Sequence, residues 1–394
     1  MANVQYSGVR ESRPGRVNDL GTTGKRSRRK LQKGCLKRAD RSFAQGLQCQ
    51  QINSMAALMS LEDSVFVSHS PQGCVGCTIM VPIHCEGFKS KICASGFDAA
   101  FLAINKYILK KESVPKEKGL VNLFAPTTVG YADQKEMERM LHNIGVEVNY
   151  IPFYSSLEKI KRIPAAEAST SICKVFADEF MKTLWEDYEI PYSHTVMPIG
   201  IRNTEKWYRG IAKVLGKEEE VEEIIAKERE RIMPLVQKLR DRLQGKRVFI
   251  CGGTGRSFAA AALIDDFGME LVGLETPTYD EDAQTDIEYL NGIHKDFVVD
   301  IANMQPFEQV NLVNKLKPDA FIGVPDWAAK LGIPTTHVLD GKRPTMGYDG
   351  LIYLGNKIAD QLQNPGFNVK LAQHSKLPYK DSWYEQDAFK YIKK

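Results

Sequence analysis

Strands and helices alternate along most of this 394-residue chain, and this alternation limits its fold more than any other feature. The pattern is clearest after Lys246, where RVFICGG predicts a strand, residues 256–267 an Ala-rich helix and MELVGLE the next strand. It continues through DFVVDI, DAFIGV and IPTTHVL to a final helix at 347–362. Strands separated by helices pair in parallel, so the pattern predicts an α/β fold.

The segment 119–244 repeats the pattern less regularly. Its apolar runs predict two strands, and its helical spacings predict three helices, the last of them a charge-dense connector. The strands are expected at 120–124 and 146–153, and the helices at 134–144, 165–188 and 217–244.

The composition is that of an ordinary globular protein, with 43% apolar and 26% charged residues. The length implies two or three domains. No apolar run is long enough to cross a bilayer and no signal-peptide core follows Met1, so we expect a cytoplasmic protein without a membrane partner. In that setting the eight cysteines favour thiols or metal ligands over disulfides.

The net charge of +4 is small and is concentrated near the N-terminus, between Arg10 and Arg41. No stacking aromatic side chains are interleaved with these charges, so we expect a solvated or partner-covering arm that does not bind nucleic acid. The predicted divisions are a basic arm at 1–41, a cysteine-rich domain at 42–118, a middle α/β domain at 119–244 and a Rossmann-like α/β domain at 245–394.

Residues 64–77, SVFVSHSPQGCVGC, join a short apolar strand to a turn that carries two thiols, Cys74 and Cys77. Such a strand would bring sulfur to a sheet edge, where open α/β sheets bind ligands. A third thiol, Cys49, lies upstream. Each cysteine alone would be read as buried and inert, but three around one turn favour metal or cluster ligation.

The glycines at 252–255, GGTG, follow a strand and open a helix, as phosphate-binding loops do. The full GxGxxG spacing and a Walker lysine are both missing, so the sequence offers little support for a nucleotide-binding protein.

Several motifs resemble the alpha chain of nitrogenase component 1, the molybdenum-iron protein family. The HSPQGC turn is similar to the family's HGPxGC turn, and IHCEGF is similar to its RCEGF segment. IPY, PIGI, LQGKRVFI, DFGMELVG and GYDGLIYLGNKIADQLQNP follow the family in order, and the resemblance covers about residues 49–373. It implies a nitrogenase component 1-like α/β fold, with two to three Rossmann-like parallel-sheet domains around a central metallocluster site.

The resemblance also implies ligands for two clusters. Cys49 and Cys74 match cysteines that bind an iron–sulfur cluster at the subunit interface, which would be P-cluster-like or a 4Fe–4S cluster. Cys173 and His337 fall, without gaps, on the residues that bind opposite ends of the active-site metallocluster. Arg256 falls on the arginine that the family directs at the sulfides of this cofactor, which implies a catalytic role.

The chain also departs from the family pattern. The segment that carries the third interface-cluster cysteine is missing, which leaves Cys77, Cys85 and Cys93 as possible substitutes. Cys93 and Phe97 stand where the family has a glutamine and a histidine that face the cofactor, and no lysine matches the one near homocitrate. These differences indicate a shortened cysteine-rich domain and a remodelled catalytic pocket.

Two functions follow from the resemblance. The first is the catalytic, alpha-like subunit of a nitrogenase-like reductase, related to nitrogen fixation enzymes, to which an ATP-dependent iron protein supplies electrons. The second is a cofactor-assembly scaffold that holds a precursor without turnover. In either case the expected partner is a beta-chain-like subunit or a second copy, in a heterotetramer or a dimer. The presence of both metallocluster ligands favours the enzyme, whereas the missing glutamine and histidine favour the scaffold.

Overall fold

The computed structural model of the protein includes the elements around Cys173, Arg256 and His337, the residues predicted to surround the metallocluster. The residues described are 3–6, 64–69, 78–83, 94–125, 129–151, 155–173, 176–194, 196–277, 279, 281–302, 305–323 and 327–389. Among the helices in these ranges, none is long and apolar enough to cross a membrane.

A four-stranded parallel sheet forms the first half of the structure, in the order β5-β4-β6-β7. Its strands are β4 Glu117–Phe124, β5 Glu147–Ile151, β6 Ala166–Ser171 and β7 Tyr192–Ser193. The helices around it are α1 Ala94–Ile104, which continues as a π-helix at Asn105–Leu109, and α2 Tyr131–His142, α3 Leu157–Lys161 and α4 Asp178–Tyr188. The predicted strands at 120–124 and 146–153 and the helix at 134–144 are therefore confirmed within a few residues.

One prediction in this sheet is wrong. The segment 165–188 was expected to be a single helix, but its first part is the strand β6 and only its second part is the helix α4. The strand sequence AEASTS lies between β4 and β7, and five of its six residues are buried. The backbone of β6 is paired with a strand on each side, and this pairing overrides the weak helical pattern of the sequence.

Two helices connect the sheets. Helix α5, Ile201–Leu215, is followed by the long α6, Glu218–Leu243, which matches the predicted connector at 217–244. Helix α11, Gly347–Gln363, packs against α2, α5 and α6, and one apolar core runs through both halves of the structure. Elements of the two halves are therefore packed directly on each other.

A six-stranded parallel sheet forms the second half, in the order β1-β10-β9-β8-β11-β12. The predicted alternation is confirmed here, except that the strand expected in IPTTHVL is reduced to two residues. The strands are β1 Asn3–Tyr6, β8 Arg247–Cys251, β9 Glu270–Thr276, β10 Val298–Ile301, β11 Ala320–Gly323 and β12 Thr335–Thr336. The helices are α7 Thr254–Asp266, α8 Glu281–Ile293, α9 Pro306–Leu316, α10 Trp327–Lys330, α11, α12 Gly366–His374 and α13 Asp381–Glu385.

The strand predicted before the paired thiols is present as β2, Ser64–His69, but its surroundings differ from the prediction. It pairs antiparallel with β3, Thr78–Ile83, in a separate two-stranded sheet. It is therefore not a strand of either parallel sheet. Residues 70–77, which carry Cys74 and Cys77, lie between the two strands and outside the described residues.

Candidate functional site

Cys173 lies in the turn that follows β6, so the expectation that it sits on a helix is wrong. The hydroxyl of Ser171 donates to the carbonyl of Cys173 at 3.0 Å and accepts from its N–H at 3.2 Å. Trp207 Nε1 donates to the carbonyl of Ser171 at 3.1 Å. These bonds hold the backbone where the strand ends, and they keep the Cys173 side chain at a buried position, 8% exposed.

The N-terminus of α7 lies directly against this thiol. Helix α7 begins after Gly252 and Gly253, and a Cβ atom at Gly255 would lie 3.3 Å from Cys173 Sγ. The missing side chain at Gly255 therefore allows the helix backbone to approach the sulfur closely. This contact joins the carboxyl end of β6 in one sheet to the turn after β8 in the other.

Arg256 is the next residue of α7, and it is almost fully buried. Its Nη1 donates to the carbonyl of Val338 at 2.6 Å. Burial lowers the pKa of Arg256, and the negative charges of Asp133 and Cys173 oppose this shift. The guanidinium thus lies within electrostatic range of Cys173 and is bonded to the residue that follows His337.

His337 comes directly after β12 and is half-buried. It begins a connection, residues 337–346, that leads into α11 and that we call the histidine loop. Lys357 Nζ on α11 lies 3.4 Å from the carbonyl oxygen of His337. The contacts of α7 therefore link the segment that carries Cys173 to the start of the histidine loop.

Sequence reasoning missed Asp133, which is fully buried at the start of α2. Its Oδ1 accepts from the N–H of Thr345 at 2.5 Å and from the N–H of Met346 at 3.1 Å. An acidic residue in the first turn of a helix usually caps the N–H groups of that same helix. The sequence therefore predicted a partner for Asp133 close to it along the chain. Its partners across the chain become visible only in the folded structure.

A second buried group of titratable side chains was also missed. Cys251, Glu275 and Asp300 are register neighbours on β8, β9 and β10, and we call them the acid row. Cys251 Sγ lies 2.6 Å from Glu275 Oε2, whereas neither oxygen of Asp300 has a hydrogen-bond partner in the described part of the chain. Burial raises the pKa of Glu275 to about 8 and that of Asp300 to about 7. The only sequence signal was one cysteine or acidic residue near the end of each of three apolar strands.

The remaining predicted ligands, Cys49, Cys74, Cys77, Cys85 and Cys93, lie outside the described residues. Within the described ranges, no three His, Cys, Asp or Glu side chains are placed to share one metal ion. The candidate site therefore consists of one soft sulfur donor and one imidazole, with a buried guanidinium between the elements that carry them. Thiolate and imidazole are ligands of transition-metal ions and of iron–sulfur clusters.

The sequence of this chain matches a known protein family. Residues 75–363, more than half of the chain, match the family model for nitrogenase component 1 type oxidoreductases. The nitrogenase molybdenum-iron protein alpha chain of Methanococcus maripaludis is 23% identical over 297 residues, which cover 74% of this chain and 61% of that protein. The nitrogenase iron-molybdenum cofactor biosynthesis protein NifE of Methanosarcina barkeri is 26% identical over 305 residues, 73% of this chain and 65% of that protein.

The chain thus spans less than two thirds of the length of either relative. The solved structure of nitrogenase Cp1 at pH 5 aligns with a TM-score of 0.60 at 22% identity, over 76% of this chain and 66% of that one. This likeness supports the α/β fold with parallel sheets that the sequence predicted. The match to the family model covers the whole four-stranded sheet, strands β8 to β12 of the other sheet and the residues of the candidate site, and the chain therefore belongs to the nitrogenase component 1 type oxidoreductase family.

Proposed function

We propose that this chain is the catalytic, alpha-like subunit of a nitrogenase-like reductase. One observation carries the proposal: the turn that holds Cys173 meets the α7 N-terminus, and Arg256 of α7 is bonded to the backbone beside His337. The segments that carry Cys173 and His337 come from different sheets and are thereby linked through α7. Parallel α/β sheets bind ligands beyond the carboxyl ends of their strands, and β6, β8 and β12 all end here.

An iron–sulfur metallocluster fits the residues present. Cys173 would bind one end through sulfur and His337 the other through an imidazole nitrogen. The space that a side chain at Gly255 would fill lies 3.3 Å from Cys173 Sγ. When bound, such a cluster would supply the electron-transfer chemistry. Arg256 would balance its negative charge, and the buried surroundings of Cys173 would limit access of water.

Electrons would reach this site through a second cluster. We assign Cys49 and Cys74 as its ligands in this chain, with Cys77, Cys85 or Cys93 as a third. A beta-chain-like subunit or a second copy of the chain would complete it at the interface, and an ATP-dependent iron protein would be the electron donor. The resemblance around the HSPQGC turn supports this assignment.

A cofactor-assembly scaffold is the second candidate, and the similarity to NifE favours it. A scaffold would use the same two ligands but would pass its cluster to an acceptor protein without reducing a substrate. The two functions therefore differ in turnover and in cluster release, and they share the ligands.

The deciding experiment compares Cys173→Ser with Cys251→Ser after anaerobic co-purification with a partner subunit. Cys251 is the matched control, because it is a buried thiol on the other sheet and outside the candidate site. We expect Cys173→Ser to lose the iron and the EPR signal of the metallocluster, while Cys251→Ser keeps both. Full metal content in Cys173→Ser would overturn the proposed ligation.

Turnover separates the enzyme from the scaffold. The wild-type complex is given the iron protein and ATP, and reductant consumption is followed beside cluster transfer to an apo-acceptor. ATP-dependent consumption of reductant supports the reductase. Cluster transfer without such consumption supports the scaffold.

A further inference from the structure

Two buried charges hold the two ends of the histidine loop. We propose that Asp133 and Arg256 are positioning residues, which set the place of His337 relative to Cys173. This inference rests on the proposed function for its biological meaning, but the contacts that carry it require no bound cluster.

Asp133 holds the far end of the loop. Its carboxylate accepts the N–H and the hydroxyl of Thr345 and the N–H of Met346, at 2.5 to 3.1 Å. Burial raises the pKa of Asp133, while the bonds from Thr345 and the charge of Arg256 oppose that shift. A buried carboxylate is costly unless its oxygens accept hydrogen bonds, and here they accept bonds from three groups of the loop. Loss of these bonds would leave the charge unpaired, so they hold the end of the loop in one conformation.

Arg256 holds the near end. Its Nη1 bonds to the carbonyl of Val338, the residue after His337, so one donor of the guanidinium is already used on the loop backbone. Asp133 lies close enough to offset the cost of burying this cation. The two charges therefore support each other while each binds a different end of the loop.

The middle of the loop is held as well. Asp340 accepts from the hydroxyl of Tyr353 on α11 at 2.5 Å, and its Oδ1 accepts from the N–H of Lys342 at 2.9 Å. A Cβ atom at Gly130, just before α2, would lie 2.6 Å from the carbonyl oxygen of Asp340. Helix α2 therefore touches the loop at its middle as well as through Asp133.

These contacts connect the two ligands of the proposed cluster. Helix α2 links β4 to β5 in the four-stranded sheet, and Cys173 follows β6 in the same sheet. The histidine loop belongs to the other half of the chain. A loop bound to α2 is thus tied to the sheet whose strand β6 leads to the thiol, so these contacts limit how far His337 can move relative to Cys173.

The first test uses the protein without any cluster. Amide hydrogen exchange of the peptide 337–346 and the imidazole signals of selectively labelled histidine are compared for wild type, Asp133→Asn, Asp133→Ala and Arg256→Gln. The variant His337→Gln assigns the signal of interest. Asp349→Asn is the matched control, because the carboxylate of Asp349 binds Arg231 on α6 at 2.7 Å and neither Thr345 nor Val338 is its partner in that bond.

We expect Asp133→Ala and Arg256→Gln to accelerate exchange in the loop by roughly ten- to a hundredfold, because each removes charge-assisted hydrogen bonds. Both should also shift the His337 signal. Asp133→Asn retains an acceptor oxygen and should give a smaller change, and the control should give none. Exchange that accelerates equally in β4 and β8, or an unmoved His337 signal in both variants, would overturn the positioning role.

The second test distinguishes this inference from the proposed function. Metal content and EPR spectra are measured for Asp133→Asn beside wild type, both isolated anaerobically with the partner. A changed line shape at retained iron supports positioning. A wild-type protein without iron would contradict the proposed function and leave the exchange result to decide the positioning role.

Discussion

The candidate site and the acid row are both buried and titratable, yet they handle charge in opposite ways. In the candidate site, Asp133 and Arg256 carry opposite charges, and each binds backbone groups of the histidine loop. In the acid row, Glu275 and Asp300 are like-charged when ionised, and Asp300 has no hydrogen-bond partner among the described residues. A buried charge that has an opposite charge nearby can hold neighbouring backbone groups in place. A buried carboxyl without one has a raised pKa and tends to keep its proton.

Removal of one partner from the compensated pair should give the largest effect. Arg256→Met leaves Asp133 buried without its cation, and we expect the free energy of unfolding to fall by about 3–5 kcal/mol. The double variant Asp133→Ala/Arg256→Met should lose less than the sum of the two single losses, because the charges interact. Chemical denaturation of all four proteins measures the coupling, and strictly additive losses would show that the two charges act independently.

The acid row should respond in the opposite direction. Asp300→Asn replaces an acid whose pKa is raised to about 7 by burial first and then by Glu308, so it should stabilise the protein at pH 8 by roughly 2–3 kcal/mol. The reason is that the wild-type protein must either keep a proton or bury a charge at that pH. Thermal unfolding at pH 8 checks the prediction.

The acid row should also make the stability of the protein depend on pH in a definite direction. The raised pKa values of Glu275 and Asp300 mean that the folded protein retains protons that the unfolded chain releases. The contribution of these two groups to stability should therefore be fullest at about pH 4 and below, and it should be lost as the pH rises towards 8. Asp300→Asn should decline less over that window, and an equal slope in the two proteins would contradict the assignment.

The smallest effect on stability is expected at Gly255. Gly255→Ala gains helix propensity, about 1 kcal/mol, but places a methyl group 3.3 Å from Cys173 Sγ. These terms nearly cancel, so the unfolding free energy should change by less than about 1 kcal/mol. Iron content after anaerobic isolation should nevertheless fall, because the new methyl group fills space beside the thiol. Unchanged iron would show that this space is not used.

Much of the site region was predictable from local patterns. The strand before the GGTG turn and the helix after it are both present as β8 and α7, so Arg256 lies where the sequence placed it. Cys173 was identified from the resemblance but assigned to a helix, since the short AEASTS run carries no strong period. The acid row and Asp133 escaped detection because each residue alone looks like an ordinary strand or helix-start acid.

The sequence by itself determined the family and the parallel α/β architecture of the second half, and its resemblance to the family supplied the candidate ligands. These depend on hydrophobic periodicity and on short motifs, which are local along the chain. Only the tertiary structure decided that Asp133 binds Thr345, 212 residues away, and that Arg256 binds the backbone beside His337. Such contacts depend on how the two sheets pack together, and the desolvation that makes them strong exists only after that packing has formed.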